Sequence, residues 1–455
     1  MSEYQQNTTP ETLHTRQRSY RSRAEYDLCL TLAQRTNTHP AEWFPVFKSR
    51  YGLEAVYTAI HTLHTNGLVL TQTFTTCTAI DPILSAQLTP VYGDINPHTL
   101  NLDSDRLLTA LHGAPAQGAP VSPALSSANT KIDTSRVQAV VMQNTFGIID
   151  QPHAQTLAAR VRETFPQALF VENSMSTVTR MARNSQGEPL ADVSAHSFGF
   201  NNILGTSFGG AIWLNPALAQ RNGELYDAIV EQFASLRRPT HRIEKAVEKH
   251  DKQDRFLARL PQTWANRLRA RWIHTGKYEP ELSAVERQGS LEYSMLGSTN
   301  WIDTQARLAL DSLEANFQRR EMTVSLYSHA LTAPDYQGKL SIPQAALASA
   351  DGSRADSAGV DSANAQPLLY FPVLLKDAAQ AQAAADAVRA AGVAAQHWYR
   401  PQLFPGVMDP AVYNLPSDSR NLTTTKDVSD RIVVLPTNIS DEEANKAIAA
   451  LRALV

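Results

Sequence analysis

The sequence predicts an α/β protein whose large domain is a doubly wound, mostly parallel sheet and whose C-terminus forms a small α/β domain. Two observations carry this. Short apolar runs alternate with segments of helical periodicity along the first half of the chain, with spacers long enough for crossover helices. A second strand-then-helix alternation begins near residue 367, after a break in composition.

The elements follow in order. Gly52 to Ile60 places apolar residues at helical spacing, and Asn66-Gly67 stops that helix as a C-cap would. Leu68 to Leu70 reads as a strand, Thr78 to Leu88 as a helix, and Pro90-Val91-Tyr92 as a short strand entering the turn Gly93-Asp94-Ile95-Asn96-Pro97. Val137 to Met142 is a buried strand, Gln155 to Glu163 a helix, and Ala168 to Val171 and Val193 to Phe198 are strands. Charged helices dominate residues 215–330. Beyond them, Pro367 to Leu375 is strand-like, Ala378 to Ala391 an alanine-rich helix, and Arg431 to Val455 a strand followed by a helix. Gly113 to Thr134 and Ala345 to Gln366 are low in complexity and lack large apolar residues, which predicts flexible surface loops. The resulting plan is an arm over 1–45, a large domain over 46–330, a linker and loop over 331–366 and a small domain over 367–455.

Bulk properties exclude several classes of function. A chain of 455 residues with 43% apolar content can bury a large core. Its 41 Lys and Arg nearly balance 44 Asp and Glu, which gives no broad electrostatic reason to expect nucleic acid or a membrane as partner. Arg16, Arg18, Arg21 and Arg23 are a local exception, read as part of a solvated, partly mobile arm. Two cysteines, Cys29 and Cys77, make no disulfide framework, and the chain does not open like a signal peptide, so the expected compartment is cytoplasmic. Apolar runs fall well short of the roughly 20 residues a membrane-spanning helix needs.

Other motifs weigh little. Gly205-Thr206-Ser207-Phe208-Gly209 fits the Gly-x-Ser-x-Gly pattern of a hydrolase elbow, with His196 as a candidate partner, but the Gly209 to Leu214 segment that follows reads as a strand where that motif needs a helix. His61 and His64 share a helix face without a third metal ligand at a telling spacing.

The ordered series Gln72-Thr73-Phe74-Thr75, Pro90-Val91-Tyr92-Gly93-Asp94-Ile95, Asn144-Thr145-Phe146-Gly147, Val171-Glu172-Asn173, His196-Ser197-Phe198 and Gly209-Gly210-Ala211 is similar to the nucleotide-sugar aminotransferases of the DegT type. The ending Val433-Val434-Leu435-Pro436, followed by Ser440-Asp441-Glu442-Glu443, also looks like that family. The resemblance spans residues 46–455. It implies the PLP-dependent transferase fold type I, a pyridoxal or pyridoxamine phosphate coenzyme (PLP or PMP), a small-molecule ligand such as a nucleotide sugar, and a homodimer with active sites at the subunit interface.

It also implies a pocket formed by Thr76, Asn173, Ser176, Ser197 and Asn202, and there the chain departs from the family. The position of the Schiff-base lysine is Asn202, and an amide nitrogen forms no imine; Lys131 and Lys245, the nearest lysines in sequence, are too distant to align there. The carboxylate that keeps the coenzyme ring protonated is Asn173, and Glu172 cannot replace it because neighbouring strand residues face opposite ways. The stacking aromatic is Thr76 and a coenzyme-proximal glutamine is Ser176, while the phosphate-holding Ser197 is kept. A phosphate turn of Ser-Gly-Thr type is replaced by Ser49-Arg50-Tyr51-Gly52. The expectation is a divergent member without lysine-dependent transamination that binds a small ligand in the coenzyme pocket. The alternatives are an active aminotransferase, a lysine-free PMP-dependent dehydratase, and a catalytically dead subunit paired with an active relative.

Overall fold

The computed structural model describes residues 19–111, 134–347, 365–416 and 419–454. Arg16, Arg18, nearly all of the Gly113 to Thr134 stretch and residues 348–364 of the second low-complexity stretch lie outside the described residues.

The described residues begin with a helix, α1 (Arg23–Thr36), and a strand, β1 (Trp43–Val46). This corrects the expectation of a solvated arm for its described part. Ser22 caps α1 by accepting from Glu25 N, and Leu28, Cys29 and Leu32 are fully buried. Arg21 and Arg23 are not free either: Arg21 donates to Phe233 O at 3.0 Å and Arg23 pairs with Asp27 at 2.8 Å. Amphipathic spacing at 28, 29 and 32 was the available signal, masked by the surrounding arginines.

After α2 (Ser49–Leu63) come β2 (Leu68–Gln72), α3 (Asp81–Ser85), β3 (Thr89–Gly93), α4 (Leu107–Ala110), β4 (Val137–Gln143), α5 (Gln151–Thr164), β5 (Leu169–Asn173), β6 (Val193–Ser197) and β7 (Gly210–Leu214). The helix expected over Thr78 to Leu88 shrinks to a 3-10 turn plus α3, because Pro82 permits a helical start but Gln87 takes a left-handed backbone, φ 58°, that ends it.

The strands form a 7-stranded sheet in the order β1-β7-β6-β5-β4-β2-β3. Neighbours from β3 to β6 are parallel, while β7 runs antiparallel to β6 and β1 antiparallel to β7. Every residue of β4 and β5 is buried, as expected for strands covered on both faces. α2 packs on this sheet so closely that a Cβ at Gly52 would collide with Ile212 Cγ1, so glycine sets that approach.

Helices α6 (Ala217–Arg221), α7 (Gly223–Ser235), α8 (His241–Leu257), α9 (Gln262–His274), α10 (Asn300–Asp311) and α11 (Leu313–Leu331) make up the helical middle. A second sheet pairs β8 (Tyr370–Leu374) antiparallel with β9 (Ile432–Pro436), accompanied by α12 (Ala378–Ala390), α13 (Thr423–Arg431) and α14 (Asp441–Arg452). The acidic start of α14 forms a capping box between Ser440 and Glu443. Arg320 of α11 ties this unit to the helical middle: it is buried and donates to Leu368 O at 3.3 Å, Leu369 O at 3.1 Å and Thr437 Oγ1 at 2.8 Å. No helix among the described residues is long and apolar enough to cross a membrane.

Candidate functional site

A parallel sheet opens its ligand crevice beyond the carboxyl ends of its strands. Here β2, β4, β5 and β6 deliver Thr75 and Thr76, Gln143, Asn173 and Ser197 to one cavity of about 130 Å³. Ser176 and Asn202 line it as well, so the five residues picked out in the sequence share one wall system. Asn202 Nδ2 donates to Ser197 Oγ at 2.9 Å and to Phe200 O at 3.2 Å. Asn173 Oδ1 accepts from Met175 N at 3.3 Å, and Thr76 shares a 2.9 Å hydrogen bond with Thr78.

Glu172 faces away from the cavity. It is fully buried beneath the crevice, accepting from Asn144 Nδ2 at 2.8 Å, Ala182 N at 2.8 Å and Ser194 Oγ at 3.4 Å. Burial pushes its carboxyl from 4.5 up to about 7, outweighing those donors. A raised folded-state value means the native chain binds a proton that the unfolded chain releases, so stability falls as pH rises from about 4.5 to about 7. Glu172→Gln is expected to flatten the pH dependence of Tm across that window, an effect on the order of 3 kcal/mol, followed by thermal melts from pH 5 to 8. A wild-type Tm that climbs through the window would contradict the reading.

The sequence did not point to the strongest charges in the lining. Lys48 and Arg50 stand at the start of α2, beside the cavity. The Lys48 ammonium is buried, with Glu279 Oε1 at 2.9 Å, Pro280 O at 2.9 Å and Glu281 O at 3.4 Å. Arg50 Nε meets Glu286 Oε1 at 2.5 Å and its other arm donates to Glu281 O at 2.6 Å. Both cations are thus held by one acidic segment between α9 and α10. Lysine proximity in sequence to position 202 was the wrong guide, since Lys48 arrives through sheet topology; its place next to Ser49-Arg50-Tyr51-Gly52 was the usable signal.

Aromatic surface also comes from elsewhere. Trp398 and Tyr399 line the cavity from the segment between α12 and α13, with the Tyr399 ring stacked on Phe146 at 5.4 Å. The Trp398 indole nitrogen is buried without a hydrogen-bond partner. Phe200 and Phe208 contribute further ring surface.

The hydrolase motif does not assemble. Ser207 donates to Asp251, His196 Nε2 bonds Ser194 Oγ at 3.1 Å, and Gly210–Leu214 is a strand as the sequence reading required. Burial holds His196 down at about 3, so it stays neutral. Among the described residues no group of His, Cys, Asp and Glu could hold a metal ion.

No family model and no curated protein matches the chain. Solved structures do. Sugar aminotransferase CalS13 from Micromonospora echinospora is similar at TM-score 0.59 and 16% identity, covering 95% of this chain and 92% of its own. A DegT DnrJ EryC1 StrS aminotransferase from Brucella abortus gives TM-score 0.58 at 14% identity, covering 95% and 90%. Spr1654 from Streptococcus pneumoniae, in its PMP form, gives 0.61 at 15%, covering 95% and 92%. At such identities the likeness establishes the fold and leaves the chemistry to this chain's own residues.

Proposed function

We propose that this chain is a sugar-aminotransferase-like protein of carbohydrate or natural-product biosynthesis that does not carry out lysine-dependent transamination and holds a neutral, hydroxyl-rich ring, a carbohydrate, in the crevice. The observation that carries this is the state of the cavity's charges: Lys48 and Arg50 are both paired to the chain's own glutamates.

The cavity residues do not fit a pyridoxal coenzyme. No amine stands at Asn202, no carboxylate at Asn173, and the Lys48 amine would have to leave a buried ion pair to react. Breaking such a pair costs about 3–5 kcal/mol. A phosphate dianion entering beside α2 would meet Glu281, the one acid among the described lining residues, and among them no cation outside an ion pair.

A sugar ring suits the same walls. Thr75, Thr76, Ser176, Ser197, Asn173 and Asn202 supply hydroxyls and amides, and Trp398 supplies apolar ring surface. The cavity's size, about 130 Å³, is close to the ~150 Å³ that takes up a single benzene ring in a protein interior.

The test pairs two titrations. With pyridoxal phosphate, the purified protein is expected to show no imine band between roughly 320 and 430 nm and no borohydride-stable adduct. With N-acetylglucosamine and with 6-deoxyglucose, Trp fluorescence is expected to change for at least one sugar, and the change should vanish in Trp398→Phe. An adduct mapped to Lys48 would overturn the reading; a fluorescence response to pyridoxal phosphate but to neither sugar would overturn the ligand class.

A further inference from the structure

The α8–α9 hairpin carries a charge pattern that the chain's overall balance conceals. From 255 to 277 the sequence holds Arg255, Arg259, Arg267, Arg269, Arg271 and Lys277 and no Asp or Glu. The two nearest acids on α8 are engaged within the fold: Asp251 accepts from Ser207, and Asp254 accepts from Tyr278 Oη at 2.7 Å and lies 3.1 Å from His250 Nε2. Arg269 is drawn toward the same cluster, over the Tyr278 ring. That leaves Arg255, Arg259, Arg267 and Arg271 exposed, with no ion pair among the described residues.

Apolar surface stands among these charges. Trp264 is 68% exposed and Phe256 49% exposed. On α9, Trp264, Leu268 and Trp272 follow one another at four-residue spacing, with Arg267 and Arg271 in the adjoining row. Phe256 of α8 lies 6.2 Å from the Trp272 ring, which extends the strip across the hairpin. Among the described helices and strands, α9 packs substantially against α8 alone, so no other described element covers this face to a comparable extent.

We propose that this face of the α8–α9 hairpin docks on an anionic lipid surface, with the Trp264 and Phe256 rings entering the headgroup layer and Arg255, Arg259, Arg267 and Arg271 pairing with lipid phosphates. Cationic side chains beside an apolar strip ending in tryptophan are the makeup of a helix that lies in the membrane–water interface. Because the chain as a whole is slightly acidic, the attraction is local and reaches only about a Debye length, ~10 Å at 0.1 M salt. A single-stranded polynucleotide would instead call for a groove in which bases stack in succession, and these rings stand on the outside of a hairpin. The inference is independent of what the crevice binds.

The full-length protein is sedimented with vesicles of phosphatidylcholine alone and with about 30% phosphatidylglycerol added. The bound fraction is expected to rise roughly tenfold with the anionic lipid at low salt and to fall back at about 0.5 M salt. The R255E/R259E/R267E/R271E variant should lose that gain, with circular dichroism confirming its fold. In the unaltered arginine background, brominated phosphatidylcholine in the anionic vesicles should quench tryptophan fluorescence, and Trp264→Phe should remove that quenching. Equal binding to both vesicle types, no binding, or binding that survives the four reversals would overturn the proposal. So would a concentration-dependent dimer that Trp264→Phe dissociates, since that would assign the face to a second copy of the chain.

Discussion

Asn202→Lys will give the protein a borohydride-reducible imine with pyridoxal phosphate that the parent lacks, and very little turnover. The substituted side chain leaves the same turn that now places Asn202 against Ser197 and Phe200, so its amine enters the cavity at the cost of two modest hydrogen bonds, about 1 kcal/mol each. If the coenzyme ring sits as the resemblance implies, its nitrogen would still meet the uncharged Asn173, whose side chain accepts from Met175 N. Adding Asn173→Asp puts a carboxylate at the end of β5, and a charge-assisted contact in a water-poor site contributes several kcal/mol of transition-state stabilisation. The double variant should therefore convert bound pyridoxal to pyridoxamine, with an added amino donor, at least about tenfold faster than the single one. Equal rates would show that the missing carboxylate does not matter. Failure of both variants to bind the coenzyme would place the change deeper, in the glutamates that hold Lys48 and Arg50.

The second large effect concerns the junction that positions the crevice. Gly210 opens β7 where it passes the start of α2, and a Cβ there would lie 2.7 Å from both His196 O and Ser49 N, and 2.9 Å from Ser49 Cα. All three are backbone atoms, so no side chain can swing aside. Gly210→Ala must separate β7 from β6 and α2, with an expected loss of about 3 kcal/mol in urea unfolding. The same shift would move Lys48 and Arg50 relative to Glu279 and Glu286, so the sugar-dependent fluorescence change should disappear even where the variant remains folded. A variant as stable as the parent would show that the two layers can slide apart freely.

Much of the architecture was legible because it is written locally. Val137 to Met142 is a short, mostly apolar run read as a buried strand, Val193 to Phe198 was read as another strand, and they appear as β4 and β6. The acidic segment Ser440-Asp441-Glu442-Glu443, part of the family-like ending, opens α14 with a capping box. The cavity residues Thr76, Asn173, Ser176, Ser197 and Asn202 were legible by order along the chain, and the sheet brings them together. What escaped was set by pairing across long sequence separations. Lys48 drew no notice, and Arg50 stood only as part of the Ser49-Arg50-Tyr51-Gly52 turn, because Glu279, Glu281 and Glu286 come to them from more than two hundred residues downstream. Likewise Trp398 belongs to no recognisable local pattern, and only the packing of its segment on Phe146 and Tyr370 brings it to the crevice. The helix α1 was missed for a different reason: the arginines at and before its start suggested solvent, while its four apolar core residues, Leu28, Cys29, Leu32 and Ala33, were too few to dominate.

The position of β1 bears on how the protein is made. Among the described strands it is synthesised earliest, yet its partner in the sheet is β7, with Trp43 opposite Trp213. At about 5–20 residues per second of synthesis, the interval before β7 emerges is roughly 10–30 s. Throughout that interval Trp43, Phe44, Val46 and Phe47, all buried in the finished fold, have no sheet to join. The finished edge depends on them in turn, since without β1 the outer side of β7 would present open backbone donors and acceptors to other chains. Nascent chains of this protein therefore carry an unpaired apolar strand for most of the time the large sheet is being built, and recoverable yield should respond more to holdase chaperones acting during synthesis than to conditions that stabilise the completed fold.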